Sequence, residues 1–261
     1  MLDKLLRKDL KKNMQWMWIL FLSTIAIAGI TRGFKELGNS IAFFQVIGTL
    51  FDSIFYALAV NVILHPFLRN FLNFTKSFYS DESYLTHTLP VTKNQLINSK
   101  FLTAAIEIIL GFLSLILSIL IMYASPTMEM TLNLIISTAV TGEISLPLVL
   151  SLFIILVIVE FFMFISIIYF AIVLAYKAKE HRVFKTFLIT AAMAFASITI
   201  LAIIMIIVLS INVISFSTST LILTYSAFIS VLLTGIIVYS LISLLFYFLT
   251  KKEFNKGVNV D

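Results

Sequence analysis

The 261-residue sequence contains no cysteine. Disulfides, thiolate metal sites, thiol nucleophiles and cysteine-linked lipid anchors are therefore excluded. Charge is scarce as well: Asp, Glu, Lys and Arg make up 12% of the chain, against about 25% in an ordinary soluble domain. The eight glycines are scattered, and no G-x-x-x-x-G-K-[ST] loop is among them. The chain thus has no phosphate loop with which to hold ATP itself. Neither H-E-x-x-H nor G-x-S-x-G occurs. His65, His87 and His181 are far apart in sequence and do not mark a metal site. Catalysis, a resident metal or cofactor, and a nucleic-acid partner are not expected of this chain.

What fills the space is hydrocarbon. Hydrophobic residues make up 61% of the chain and 25 residues are Phe; the mean hydropathy is +1.08. A soluble protein of this length leaves roughly a quarter of its unfolded surface wet, so it could not hide so much apolar area. The expected class is an all-α polytopic membrane protein in a lipid bilayer, one domain over residues 1–261. A bilayer core takes about 20 apolar residues per helix, and six runs qualify, at about 15–31, 41–64, 99–123, 147–176, 186–212 and 221–249. They do not alternate as barrel strands would, so each is expected to be a helix that satisfies its own backbone.

Residues 1–14 precede the first run. Leu2, Leu5, Leu6, Leu10 and Met14 recur at helical spacing, with Lys and Asp between them. The pattern predicts a separate amphipathic helix lying in the membrane interface, its basic side towards anionic headgroups. A cleaved signal peptide is the other reading of a basic leader before an apolar run, but the leader is long and carries Asp3 and Asp9.

The basic residues set the orientation. Lys4, Arg7, Lys8, Lys11 and Lys12 lie before span one, and Arg69, Lys76, Lys93 and Lys100 between spans two and three. Lys177, Lys179, Arg182 and Lys185 lie between spans four and five, and Lys251, Lys252 and Lys256 follow span six. Only Arg32 and Lys35 fall on the other side. The positive-inside rule then places both termini in the cytoplasm.

The longest interruption reads FYSDESYLTHTLPVTKNQLINSK, residues 78–100. His65-Pro66 is expected to end or kink span two, although Phe67, Leu68, Phe71, Leu72, Phe78 and Tyr79 keep a helical stripe going beyond it. Ser80-Asp81-Glu82 reads as a helix start, a hydroxyl cap followed by acids, opening a short helix from Asp81 to about His87. Leu89-Pro90 stops it. Thr92 and Gln95 stand three apart, as in a capping box. Tyr84, Leu85 and Leu89 would then be displayed outside the membrane, either as a docking knob or as a solvated loop with its own caps.

The run Ser83-Tyr84-Leu85-Thr86-His87-Thr88-Leu89-Pro90-Val91-Thr92, with Gln95-Leu96 and Ser99-Lys100 after it, resembles the cytoplasmic hairpin of ABC-2-type permease subunits of Gram-positive bacteria. These often carry Y-L-T-x-T-L-P-V before the lysine that opens span three. The local motif covers about twenty residues, while the six-span layout with inner termini is similar over the whole chain. The resemblance implies a membrane-spanning subunit of an ATP-driven exporter in a bacterial plasma membrane. A separate ABC ATPase subunit would carry the ATP and Mg, and a second permease chain, identical or homologous, would complete the path. It implies an ATPase contact at Asp81, Glu82, Ser83, Tyr84, Leu85, Thr86, His87 and Leu89. A second, smaller contact would lie at Lys179, Glu180, His181 and Arg182. The sequence departs from the family between spans five and six, where re-entrant helices are common and only residues 213–220 stand here; the longer segment 124–146 is expected to take that place.

Asp52, Glu107 and Glu160 fall inside predicted spans, Asp52 and Glu160 near the middle. An aspartate at a span centre costs about 2.5–3.5 kcal/mol on insertion scales. Each acid must face protein, water or a cation. They read either as a translocation path for cations or protons, or as neutral carboxyls bonded between helices. The apolar spans favour an amphipathic or hydrophobic substrate, such as a peptide. A stand-alone transporter or channel that uses the three carboxylates is the alternative.

Overall fold

The computed structural model describes residues 2–80, 82–88, 90–123, 130, 134, 140–141, 145–178, 180–212 and 223–256. Its helices are α1 (Leu2–Gly38), α2 (Ala42–Tyr79), α3 (Ser83–Thr88), α4 (Lys93–Tyr123), α5 (Leu146–Ala175), α6 (Arg182–Asn212) and α7 (Tyr225–Asn255). All but α3 are long and apolar enough to cross a membrane. The chain is an all-α polytopic membrane protein. Contacts divide it into two compact units, residues 1–125 and 126–259.

In the first unit, α1 and α2 lie side by side and α4 packs against both. The 39–41 turn between α1 and α2 is tight because Gly38 lies against α2: a Cβ there would come within 2.9 Å of the Gln45 Cα. Met14, Met17 and Phe21 of α1 meet Val62 of α2 and Leu115 of α4 in one apolar cluster.

The helices are longer than the apolar runs predict. The 38 residues of α2 amount to about 57 Å at 1.5 Å per residue, nearly twice a hydrocarbon core of about 30 Å. Pro66 neither ends α2 nor starts a new helix. It removes only the hydrogen bond to the Val62 carbonyl, a loss that packed membrane helices tolerate. Residues 2–14 do not form a separate element either; they are the first turns of α1. No glycine or proline stands before Gly29 to break the helix. Leu10 and Met14 pack on protein, while Lys4, Arg7, Lys8, Lys11 and Lys12 stay exposed.

In the second unit, α5 packs between α6 and α7. Met163, Ile167 and Phe170 of α5 meet Tyr239 and Phe246 of α7. Residues Val140–Thr141 and Leu223–Thr224 form a two-residue parallel pairing.

Candidate functional site

The sequence singles out the hairpin between α2 and α4, and the structure gives it a short helix with fixed surroundings. The start differs from expectation. Ser80 is the residue that closes α2, and its carbonyl accepts from the Ser83 amide at 2.7 Å. Helix α3 begins at Ser83 rather than Asp81. The Glu82 carbonyl accepts from the Thr86 amide at 3.0 Å and from its hydroxyl at 2.9 Å. The capping box that launches α4 is present in both directions: the Thr92 amide donates to Gln95 Oε1 at 3.1 Å and the Gln95 amide to Thr92 Oγ1 at 3.3 Å. It satisfies two of the donors that a helix N-terminus leaves open.

Ser83 is buried and Tyr84 stands 75% exposed. Asp81, Leu89 and the side chains of Leu85 and His87 lie outside the described residues. Helix α3 packs against α2, and Glu82, just before it, is tied to α1 by an ion pair, Lys12 Nζ to Glu82 Oε1 at 2.7 Å. That hydrogen bond holds the Glu82 carboxyl below its ordinary value.

Behind this tie lies a polar core that the sequence reading did not foresee. Asp9 of α1 and Lys100 of α4 form an ion pair at 2.8 Å, with side chains 14% and 11% exposed. Lys100 also donates to Ser77 Oγ of α2 at 3.0 Å, and Ser99 Oγ donates to Asp9 at 2.8 Å. One step deeper, Asn73 of α2 donates to Asn13 of α1. Asn70 of α2 donates to Glu107 Oε2 of α4 at 2.6 Å, and Glu107 is fully buried. Arg69 donates to the Lys12 carbonyl at 2.5 Å. Asp9, Asn13, Asn73, Ser77, Ser99 and Lys100 line a small cavity with about 40 Å³ open to water centres, room for roughly two or three waters at ~15 Å³ each.

The signal for this core was spacing. Asp9 and Asn13 are four apart; Asn70, Asn73 and Ser77 follow at three and four; Lys100, Thr103 and Glu107 do the same. A polar stripe at helical period within apolar helices marks an interhelical seam. The acids of the leader looked instead like part of a solvated face.

The three carboxylates expected inside spans each have their own surroundings. Asp52 lies ten residues into α2 and pairs with Lys35 of α1 at 2.8 Å. Around it, Lys35 also sits over the Tyr123 ring at 5.3 Å, and the hydroxyls of Tyr56 and Tyr123 are 2.7 Å apart. Eighteen residues separate Asp52 from Asn70, the partner of Glu107, about 27 Å along a helix. Glu160 belongs to the second unit, where Tyr239 Oη approaches it at 3.5 Å.

The second expected contact falls where α5 leads into α6, which begins at Arg182. Lys179 lies outside the described residues, and Arg182–Lys185 already form the first turn of α6. His181 takes a left-handed conformation, φ 53°. Arg182 is engaged within the unit, donating to the Ala178 carbonyl at 3.2 Å and stacking over Tyr176 at 5.5 Å. Lys177 is bonded to Glu253 of α7, which Lys256 also holds at 2.6 Å. Among the described residues no group of three or more His, Asp or Glu could hold a metal. No family model matches the chain, and no curated protein and no solved structure matches it.

Proposed function

We propose that the chain is the membrane-spanning permease subunit of an ATP-driven exporter, and that α3 receives force from a separate ATPase subunit. One observation carries this reading. Helix α3 presents the 75% exposed ring of Tyr84, while Glu82 beside it is tied to α1 and α3 sits between two long helices. A load applied at Tyr84 would reach α1 through that tie, α2 through its packing on α3, and α4 through the chain itself. An exposed aromatic on an ordered helix is also the kind of group that anchors a protein interface.

On this reading α3 and both termini face the cytoplasm of a bacterial cell. The ATPase subunit holds ATP and Mg, and two permease chains, identical or homologous, enclose the path. The apolar helices favour an amphipathic or hydrophobic cargo such as a peptide. The alternative, a stand-alone transporter with a carboxylate relay, has the buried Glu107 on its side. The wide separation of Asp52 and Glu107 counts against a continuous relay.

The test is co-purification with a candidate ATPase, followed by nucleotide-driven export in vesicles. Tyr84→Ala is expected to weaken the association by about 2 kcal/mol, roughly thirtyfold, and to lower export with it. Export that continues without nucleotide, or association indifferent to Tyr84→Ala, would overturn the proposal.

A further inference from the structure

Several buried polar side-chain atoms among the described residues of the first unit have no hydrogen-bond partner, and two of them, of opposite charge type, lie on neighbouring helices. One is Glu107 Oε1 of α4 and the other is Arg69 Nε of α2. Native proteins seldom leave such atoms unpaired, and each demands an explanation. Arg69 adjoins Asn70, whose amide holds the other oxygen of the Glu107 carboxyl at 2.6 Å. Asn13 adjoins Lys12, whose carbonyl Arg69 holds, and accepts from Asn73, one helical turn from Asn70. Asp9 of α1 is paired with Lys100 at 2.8 Å.

We infer that Arg69 is a two-position clasp, holding the Lys12 carbonyl of α1 in one state and the Glu107 carboxylate of α4 in the other. The exchange is chemically balanced. The planar guanidinium fork suits a carboxylate better than a single carbonyl. Moving it pairs both sealed atoms at once. The Lys12 carbonyl is not orphaned by the departure, because within α1 it accepts the helical bond from residue 16. Against this stands the loss of the Arg69–Lys12 bond, so each state has something to hold it. Bistable elements of this kind are what transmit a local shift through packed helices.

The consequence falls on α3. Lys12 is the residue whose side chain ties α1 to Glu82. When Arg69 turns to Glu107, the backbone of α1 at Lys12 is released from α2, and the support of α3 loosens with it. The clasp is a property of this chain alone; that its output is felt by an ATPase rests on the function proposed above.

The absence of cysteine makes a direct test simple. Nitroxides are placed at Lys4→Cys and Tyr84→Cys, both exposed positions, in the full chain in lipid nanodiscs with no partner present. Electron–electron distance measurements are expected to give two populations. Glu107→Gln keeps the acceptor for Asn70 but removes the charge, and should leave one population. Arg69→Lys, which keeps the charge and loses the fork, should shift the ratio without abolishing it. A single population before substitution, or a distribution that Glu107→Gln leaves unchanged, overturns the clasp. Because no ATPase is involved, that failure is separate from a failure of Tyr84→Ala to affect association.

Discussion

The two units solve the same problem with different interactions. In the first, charged and amide side chains are turned inward: Asp9 with Lys100, Asn13 with Asn73, Asn70 with Glu107. In the second, α5 carries a single charged residue, Glu160, in 30 residues, and the charges of α6 lie in its first turn. Its seam is made of Met163, Ile167, Phe170, Tyr239 and Phe246, with one hydroxyl pair, Ser166 and Ser243, at 3.2 Å. In lipid there is no hydrophobic drive between apolar helices, so the second unit depends on close van der Waals fit. The first depends on directional bonds, which fix a register but leave alternatives open to any side chain that can change partners. A unit built that way is suited to switching, and it is the unit that carries α3.

The largest expected break of this contrast is Lys100→Met. It leaves the Asp9 carboxylate sealed among helices without its cation, and removing one partner of a buried pair costs about 3–5 kcal/mol. The double change Asp9→Leu with Lys100→Met should recover most of that loss, since two apolar residues leave no charge behind. Reversible unfolding in mixed micelles measures both. The matching break of the second unit is steric. A Cβ on Gly235 would stand 2.5 Å from Leu156 Cδ1 and 3.1 Å from Met205 Cε. Gly235→Val is therefore expected to cost about 1–3 kcal/mol by overpacking. Gly33→Ala, where nothing lies within 4 Å, should not destabilise and serves as the control. Smaller again is Ser166→Ala: interhelical hydrogen bonds in membranes average about 0.6 kcal/mol, so the second unit should lose little of its stability.

The same contrast explains what could be read from the sequence. Six helices were legible because a bilayer imposes a length on apolar runs. Their true lengths were not, because hydropathy reports where lipid solvates a helix, not where the helix ends; α2 runs on through Pro66 to Tyr79. The Thr92–Gln95 box was legible because both partners are three residues apart. The Asp9–Lys100 pair was not, because its partners are 91 residues apart and an acid in a basic leader looks solvated. Tyr84 was expected to be exposed, and it is. The apolar second unit offered the sequence reader least, since nearly every residue in it is equally suited to facing lipid or protein.

An effect of similar small size isolates α3 from the rest of the first unit. The Lys12–Glu82 tie is partly exposed, with side chains 42% and 47% open to solvent, so it should contribute about 0.2–1 kcal/mol and weaken with salt. Lys12 holds the Glu82 carboxyl below its ordinary value of 4.5. A carboxyl with a lowered folded value contributes above its unfolded value and stops contributing as pH falls through the folded one. The tie should therefore be intact from neutral pH down to about 4.5 and loosen only below it. A nitroxide at Tyr84→Cys reads this as rising mobility in acid, while Glu82→Gln should be mobile at neutral pH and change little on acidification. If the label loosens between pH 7 and 5 instead, another titrating group governs α3. The distinction between the polar unit that carries the hairpin and the apolar unit would then have to be drawn at a different residue.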